Sequence, residues 1–372
     1  MNPPVRPAPK YRFIYDTVRE RILRGTFPPG QRMPPDVDLV QEFGCSRPTV
    51  AKAMEELERD GFVRRQSGAG TFVLDVGGRG KSFGLLIPSF GECEIFEPIC
   101  TELAQLSKNL GHGLLWSAAR AGGEREKEEL CRELCDQYIR EKVDGVFFAP
   151  LEASPGINSV NEQVVQSLAA NKIPVILLDR DYIPYPGRSP HDLVGVDNRR
   201  VGFMVTRLLF QRHCRRVLFV ARPSQANWLH GRIAGFMECV IQQCGHFDSE
   251  LVHQCEPSDE KYLAKILEKH RPDGVVCAND LAAGILLHSL ANLNVQVPDD
   301  VLVAGIDDVK YASILRVPLT SVRQPCKAIG HAAFHAMLHR LQFPDAPPRD
   351  ILLGCEIIER KSTETATRSR AR

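Results

Sequence analysis

Three polar residues suited to nucleic acid lie close together at the start of one predicted helix. Arg47, Thr49 and Lys52 precede or interrupt a stripe of apolar residues at helical spacing. Ser46 stands before them as a side-chain N-cap, and Pro48 falls in the first turn, where its missing N–H costs little. A guanidinium matches the O6 and N7 atoms of guanine, and an ammonium reaches phosphate. We therefore expect this helix end to meet base edges and phosphates in a major groove.

A second group of residues follows in a predicted hairpin. Residues 62–65 and 71–74 have strand-like patterns, and the glycine-containing stretch 66–70 between them is typical of a turn. Arg64 and Arg65 close the first of these strands. Their charge and their place at the base of the hairpin make them candidate phosphate contacts.

A third group of side chains lies around the predicted strands in the rest of the chain. Its polar members are Asp197, Arg232, Asn279, Asp280 and Gln324, and its aromatic members are Phe90, Phe96 and Trp228. A sugar presents a ring of hydroxyls, which planar carboxylate, amide and guanidinium groups match in pairs, while aromatic faces cover its apolar side. In a parallel sheet such groups belong at the carboxyl ends of strands, facing a crevice. For Asn279, Asp197 and Gln324 a turn or hinge role explains the residue equally well, and the aromatics could equally serve packing.

The elements that must position the first two groups predict a winged helix-turn-helix. Apolar spacing predicts helices over 11–24 and 36–43, and Gly44 is the C-cap of the second. A third helix begins after Ser46 and ends at Asp60. Three helices followed by a two-stranded hairpin define an α+β winged helix.

The pattern changes after the hairpin to short apolar strands that alternate with longer amphipathic helices. This alternation predicts an α/β domain with parallel sheets covered on both faces. The predicted strands are residues 83–87, 113–116, 145–148, 175–178, 193–196, 217–220, 274–277 and 301–305.

Shifts in composition set the predicted domain boundaries. Residues 1–10 are a proline-rich lead that we expect to be disordered, and the winged helix covers 11–74. The glycines of 75–81 predict a flexible linker to a sensing domain over 82–361. The polar and basic tail 362–372 is expected to be disordered.

Bulk composition agrees with a DNA-binding domain of local extent. The 372-residue chain has a net charge of only +1, so any DNA contact must come from a local patch. We expect a cytoplasmic protein with no membrane partner, because neither a secretory leader nor an apolar run of about 18 residues is visible. The 12 cysteines are scattered, and Cys131 and Cys135 lack a second metal-spaced pair, which predicts buried thiols rather than zinc.

Ordered markers run through the winged helix. They are Gly25, Gly61 and residues 28–30, 33–34, 43–44, 46–47, 49–50, 57–58 and 70–73. On these residues the region resembles the DNA-binding domain of the GntR family of bacterial regulators. The resemblance implies that the wing turn enters or borders a minor groove, which brings Gln66, Ser67, Gly68 and Gly70 within reach of DNA.

The same region departs from the family at two DNA-contacting positions. Relatives commonly have an acidic residue followed by arginine where this chain has Asp36 and Val37, and another arginine where it has Ala51. The operator is therefore expected to differ from those of typical relatives, with Lys52 and Arg32 as candidates to compensate.

A second set of markers runs through the sensing domain. They are Arg232 and residues 84–88, 143–145, 173–175, 179–180, 195–198, 235–236, 278–280, 297–301, 305–308 and 318–325. On these residues the domain resembles the effector domain of the LacI/GalR family, which is similar to periplasmic sugar-binding proteins. The resemblance implies that Arg232 clamps the ligand and that Asp280 bonds its hydroxyls. The stretch 92–97 replaces the family's usual Asn-Pro-Phe-Phe.

The combination resembles arabinose-repressor-like regulators and implies how such a protein works. We expect a homodimer that binds a palindromic double-stranded operator, and an effector, most simply a sugar, bound between two lobes. The chain would cross between the lobes near 179–182, 324–325 and 354. A nucleobase is the alternative effector.

Other classes fit the sequence less well. A transport binding protein would need a signal peptide, and no phosphate loop, zinc motif or serine elbow favours an enzyme. His331, His335 and His339 recur every four residues, but the spacing lacks the glutamate of a zincin and indicates a helix face. We expect no cofactor, no catalytic residue and no metal.

Overall fold

The computed structural model describes residues 10–23, 25–66, 68–74, 80–88, 90, 94–116, 123–152, 157–223 and 226–364. Most of the predicted lead, most of the linker and residues 365–372 of the predicted tail lie outside these ranges. Within the described residues, no helix is long and apolar enough to cross a membrane.

The winged helix consists of three helices and a hairpin, as the sequence predicts. Helix α1 spans Lys10–Leu23, α2 spans Asp36–Phe43 and α3 spans Arg47–Arg59. Strands β1 (Val63–Gln66) and β2 (Gly70–Val73) form the antiparallel hairpin. Apolar side chains at helical spacing fill the core between the helices, and burying each one contributes about 1.5–3 kcal/mol. They include Val18, Ile22, Leu39, Val50, Met54 and Leu57.

The sequence predicted a C-cap at Gly44 and a side-chain N-cap at Ser46, and the structure shows only the first. Gly44 ends α2 in the left-handed conformation, with φ of 56°. Ser46 occupies the N-cap position of α3, but its hydroxyl does not cap a backbone N–H. Its Oγ lies 2.7 Å from Oγ1 of Thr49 instead, so the two hydroxyls satisfy each other. The predicted side-chain cap at Ser46 is therefore wrong.

Two open sheets, each with helices around it, make up the sensing domain. The first contains β3 (Ser82–Leu86), β4 (Gly113–Leu115), β5 (Gly145–Phe148), β6 (Val175–Leu178) and β7 (Asp192–Val196), accompanied by α4 (Phe96–Asn109), α5 (Glu124–Arg140) and α6 (Ile157–Ala170). With β13 (Asp350–Leu353), these strands form one sheet in the order β13-β7-β6-β5-β3-β4.

The second sheet continues the chain with the same alternation. Its strands are β8 (Val217–Ala221), β9 (Val252–Gln254), β10 (Gly274–Cys277), β11 (Leu302–Asp307), β12 (Thr320–Arg323) and β14 (Glu356–Ile358). Between them lie α7 (Asn198–Gln211), α8 (Asn227–Cys244), α9 (Glu260–His270), α10 (Asp280–Asn292) and α11 (Cys326–Gln342). The order is β14-β12-β11-β10-β8-β9, and only β14 pairs antiparallel among the pairings described for this sheet.

The chain passes between the two sheets at three points, and one differs from the prediction. Residues 324–325 join β12 to α11, which packs on β5, β6 and β7, and residue 354 joins β13 to β14. Residues 179–182, however, join β6 to β7, which are neighbours in the first sheet. The crossing predicted there lies instead at residue 197, after β7, because this extra strand keeps the chain in the first lobe.

The predicted start of the tail at residue 362 is also too early. Ser362 and Thr363 are buried, and the hydroxyl of Ser362 donates to the carbonyl oxygen of Val303 in β11 (2.6 Å). Thr320 Oγ1 accepts from the backbone N–H of Arg360 (2.7 Å). These hydrogen bonds hold the chain against the second sheet through residue 363.

Candidate functional site

The start of α3 presents Arg47 to solvent at the position that a recognition helix uses. Arg47 is exposed, and the described residues offer its guanidinium no carboxylate partner. A free guanidinium at a helix N-terminus is suited to guanine or to a phosphate that the first-turn N–H groups also attract. Thr49 is half-buried, with its hydroxyl on Ser46.

Lys52 and Arg65 already have partners in the protein. The Nζ atom of Lys52 lies 4.1 Å from the ring centroid of Tyr11, a cation–π contact. Arg65 is held by Glu58, which accepts from its backbone N–H (2.7 Å) and lies 3.9 Å from its Nε. Arg64 is exposed with no described acidic partner. Of these predicted contacts, Arg64 is the one whose charge remains free.

The wing turn is shaped by glycines. Gly68 and Gly70 have φ of 75° and 112°, a region that side chains rarely adopt. Gln66 pairs with Gly70 across the hairpin and is exposed. The turn therefore brings backbone and small residues to its surface, while Ser67 lies outside the described residues.

In the sensing domain, Arg232 and Asp307 form a largely buried ion pair near the strand ends. Arg232 is 3% exposed, and its Nη2 lies 3.2 Å from Oδ1 of Asp307. Its Nη1 donates to the carbonyl oxygen of Ala278 (2.6 Å) and its Nε to Oδ1 of Asn198 (3.0 Å). The guanidinium lies 4.8 Å from the ring centroid of Trp228. These contacts fix the guanidinium plane before any ligand arrives.

Asp307, the partner of Arg232, was not among the predicted site residues, although its motif was noted. It ends β11 with φ of 118°, a strained conformation for a residue with a side chain. Burial raises the pKa of this carboxyl, while Arg232 and Gln324 favour its charged form. The signal in the sequence was the pair of acids after Gly305 and Ile306, at the carboxyl end of a strand.

Asp280 has the contacts of a structural residue in this conformation. It is fully buried, its Oδ1 accepts from the hydroxyl of Ser321 (2.6 Å), and its Oδ2 accepts from the backbone N–H of Val309 (3.0 Å). Burial, together with the charge of Asp307, raises the pKa of Asp280 to about 8. Both carboxylate oxygens of Asp280 are therefore engaged below the surface in this conformation, and its contact with a ligand stays a prediction.

Asn279 and Asp197 act as helix caps. Asn279 accepts from the N–H of Ala282 (2.9 Å) at the start of α10, and Asp197 accepts from the N–H of Arg200 (3.0 Å) at the start of α7. The turn role weighed for both from the sequence is the one this conformation displays.

Gln324 joins the Arg232–Asp307 pair from the crossing between the lobes. Its Nε2 donates to Oδ1 of Asp307 (2.8 Å), while its buried Oε1 has no hydrogen-bond partner. Gln324 and Asp307 line a cavity of about 450 Å³. The cavity is also lined by Glu94, Ile95, Pro98, Asp308, Val309, Lys310, Arg323, Pro325, Cys326, Lys327 and Ala328. Its size suits a small ligand.

The first sheet contributes a second cation, which is also paired. Arg180 follows β6, and its Nη1 donates to Oε1 of Glu152 (2.6 Å), while its Nε lies 3.2 Å from Oδ2 of Asp179. The same Glu152 oxygen accepts from Nε1 of Trp228 in α8 (3.2 Å). Glu152 therefore links a residue of the first lobe to one of the second.

The predicted aromatics occupy three different settings. Trp228 is half-buried between Arg232 and Glu152, where its face is suited to a ring. Phe96 is fully buried, with Arg180 5.9 Å from its ring centroid. Phe90 packs edge-on against Trp116 (5.5 Å) and lines a separate small cavity with Cys100 and other apolar residues. The structure thus brings Trp228 into contact with Arg232, whereas Phe90 lies elsewhere, against Trp116.

The candidate metal ligands behave as packing residues. Cys131 and Cys135 are buried, and burial raises the pKa of their thiols to about 12 and about 11. His331 and His335 lie 4.4 Å apart, ring to ring, on α11. Among the described residues, no three His, Cys, Asp or Glu side chains are placed to hold a metal ion.

Comparison with known proteins identifies both domains. Residues 10–73 match the model of bacterial regulatory proteins of the gntR family, and residues 206–363 match a periplasmic binding protein-like domain. The chain therefore joins a GntR-type helix-turn-helix domain to a periplasmic binding protein-like domain, which confirms the predicted family resemblance and fold class.

Two proteins similar in sequence to this chain are named as repressors. The chain is 26% identical over 373 residues to the arabinose metabolism transcriptional repressor of Geobacillus stearothermophilus, covering 96% of this chain and 98% of that protein. It is 27% identical over 289 residues to the repressor PurR of Escherichia coli O1:K1, covering 76% and 80%.

Solved structures share the fold at lower identity. The regulator CelR in complex with cellobiose has a TM-score of 0.64 and 21% identity, covering 92% of this chain and 94% of that one. CcpA of Lactococcus lactis has a TM-score of 0.64 and 21% identity, covering 77% and 100%.

Proposed function

We propose that this chain is a DNA-binding transcription repressor, and not an enzyme, whose operator affinity is set by a small molecule bound between two lobes. The observation that carries the proposal is the union, in one chain, of a winged helix with unneutralised arginines and a two-lobed domain with a cavity that Asp307 and Gln324 line. Such a protein works in the cytoplasm, where the chromosome lies.

The DNA-binding half can be tested without knowing the operator. Duplexes that the full-length chain retains from a random pool are sequenced, and the enriched sequence is titrated by fluorescence anisotropy. We expect a dissociation constant of about 10⁻⁸–10⁻¹¹ M, about a thousandfold or more below that for scrambled duplex. Retention of DNA with no shared sequence would contradict the proposal.

The charges around the cleft favour a neutral polyhydroxyl effector. Arg232 and Arg180, the two buried cations, are already paired with Asp307 and with Glu152 and Asp179. The charged residues that line the cavity, Glu94, Asp307, Asp308, Lys310, Arg323 and Lys327, balance to zero, so the cavity offers no excess positive charge to a phosphate or a sugar acid. Asp307, Gln324 and the Trp228 face supply the pairing and stacking groups that a sugar needs.

The named relatives point to the same class. One is an arabinose metabolism repressor, and structural neighbours contain bound ribose or cellobiose. A nucleobase, the alternative effector expected from the sequence, is the second candidate. Thermal unfolding of the chain with pentoses, disaccharides, purine bases and sugar phosphates separates these, because a ligand stabilises by RT ln(1 + [L]/Kd). A shift with sugar phosphates alone would contradict a neutral effector.

We further propose a homodimer on a palindromic operator, with lobe closure about residues 197, 324–325 and 354 as the switch. One winged helix offers a small contact area, and two-fold pairing is the usual route to specificity. Closure changes DNA affinity only if the effector binds the two states differently. Light scattering that gives the monomer mass of 41.5 kDa, both free and on DNA, would exclude the dimer.

A further inference from the structure

The described arginines of the winged helix differ in their partners, and Arg19 donates to the backbone carbonyl oxygen of Asn109. Some have a carboxylate within 4.0 Å, namely Arg12, Arg21, Arg59 and Arg65. Arg32, Arg47 and Arg64 are exposed and have no carboxylate partner among the residues described for this domain. Arg47 lies on α3 and Arg64 lies on β1. Arg32 lies on neither α3 nor the β1–β2 hairpin.

The backbone around Arg32 is fixed to the wing. Gly30 N donates to the carbonyl oxygen of Val73 (2.9 Å), and Met33 N donates to that of Thr71 (2.7 Å). Arg32 itself forms an antiparallel bridge with Phe72. The segment before α2 is therefore a third strand-like edge beside β2, and it holds the Cα of Arg32 in a defined position.

The side chain of Arg32 lies across the glycine that ends the wing turn. A Cβ on Gly70 would be 2.5 Å from Nε of Arg32 and 3.1 Å from its Nη2. A Cβ at position 70 would displace this guanidinium from its place, and Gly70 also has φ of 112°. Gly70 thus serves both the turn and the placement of an unneutralised cation beside it.

We propose that Arg32 is a DNA contact that acts together with the wing turn and takes over from the arginine missing at Val37. The proposal rests on the proposed function. An arginine beside the wing meets the strongly negative potential of a narrow, A·T-rich minor groove or its flanking phosphates. Lys52, the other candidate to compensate, lies against Tyr11, whereas the Arg32 charge is free.

The test compares four full-length chains on the operator selected by the unmodified protein: unmodified, Arg32→Ala, Arg32→Lys and Arg21→Ala. Arg21 is the matched control, because its charge is already paired with Glu42 (2.5 Å). We expect Arg32→Ala to weaken binding about tenfold and to reduce the slope of log K against log salt by about 1. Arg32→Lys should restore most of the slope, and Arg21→Ala should bind within about twofold of the unmodified chain.

Every outcome of this test either supports the role of Arg32 in DNA binding or overturns it. Thermal unfolding of every variant verifies folding, which the exposed position of Arg32 should leave unchanged. Equal binding by Arg32→Ala and the unmodified chain would overturn the role of Arg32 and leave the proposed function standing. Equal losses in Arg32→Ala and Arg21→Ala would also overturn it, because they would indicate a general charge effect. Absence of sequence-specific binding by the unmodified chain would overturn both proposals.

Discussion

The proposed DNA-reading surface and the proposed effector cleft both use arginines, but these arginines are in opposite electrostatic states. Arg47 and Arg64 stand exposed on the winged helix with no described acidic partner. Arg232 and Arg180 lie buried near the strand ends, each already paired with carboxylates. Phosphate brings its own negative charge and releases counterions, so its receptor is best left unneutralised. A neutral sugar brings none, so a cleft that receives it must balance its charges internally.

The same contrast predicts where substitutions cost folding and where they cost binding. Removing one partner of a buried pair leaves the other charge uncompensated, which destabilises by about 3–5 kcal/mol. Removing an exposed, unpaired arginine leaves folding almost unchanged.

Arg232→Ala should lower the free energy of unfolding by about 3–5 kcal/mol, because it leaves Asp307 buried without its cation. Urea unfolding measures this change. The matched control is Arg222→Ala, which breaks an exposed pair with Glu256 and should cost about 1 kcal/mol or less. Arg232→Ala should also lose the thermal shift that the effector gives to the unmodified chain. Similar losses of unfolding free energy in the two variants would contradict the expected difference between a buried and an exposed ion pair.

Arg47→Ala should weaken operator binding by about 1–3 kcal/mol and relax the preference at one base pair. Its free energy of unfolding should stay within about 0.5 kcal/mol of the unmodified chain, because the side chain is exposed and unpaired. A mobility-shift titration and a urea unfolding curve give the two numbers. Unchanged affinity with unchanged sequence preference would remove Arg47 from the reading surface.

Asp280→Asn should alter the pH dependence of stability. Burial raises the pKa of this carboxyl from 3.8 to about 8, so the folded chain keeps a proton that the unfolded chain has lost. The contribution of Asp280 is therefore greatest below about pH 4 and is lost as the pH rises to 8, with a slope of up to about 1.4 kcal/mol per pH unit.

Urea unfolding from pH 5 to 8 measures this slope, which should be shallower in the Asn variant. Because Asp280 faces Ser321 and Val309 rather than open cavity, effector affinity should change little. Loss of effector binding with folding intact would support the predicted contact of Asp280 with the ligand.

Lys52→Met should have the smallest effect. The ammonium lies over Tyr11, a contact worth about 0.5–1 kcal/mol at an exposed site. We expect both folding and operator binding to change by no more than about 1 kcal/mol. A loss as large as that of Arg47→Ala would mean that Lys52 leaves Tyr11 to reach DNA.

Much of the architecture could be predicted because it depends on local pattern. The helices of the winged helix and strands β5, β6 and β10 lie within a residue or two of their predicted bounds, because apolar periodicity and glycine stops act over a single element. Strands β9, β12, β13 and β14 were missed. They are short, each of the four contains at least one exposed residue, and they owe their structure to neighbouring strands rather than to their own sequence.

Local sequence pattern was enough to infer the two-domain organisation, the alternation of strands with helices, and the polar residues near the strand ends. The tertiary contacts set which of those residues pair with one another. Asp280 and Asp307 both follow or end a strand, yet hydrogen bonds from Ser321 and Val309 occupy the first, and Arg232 and Gln324 meet the second. Likewise, only the fold shows that Arg32 lies across Gly70. Side-chain partners come from segments distant in sequence, so no local pattern encodes them.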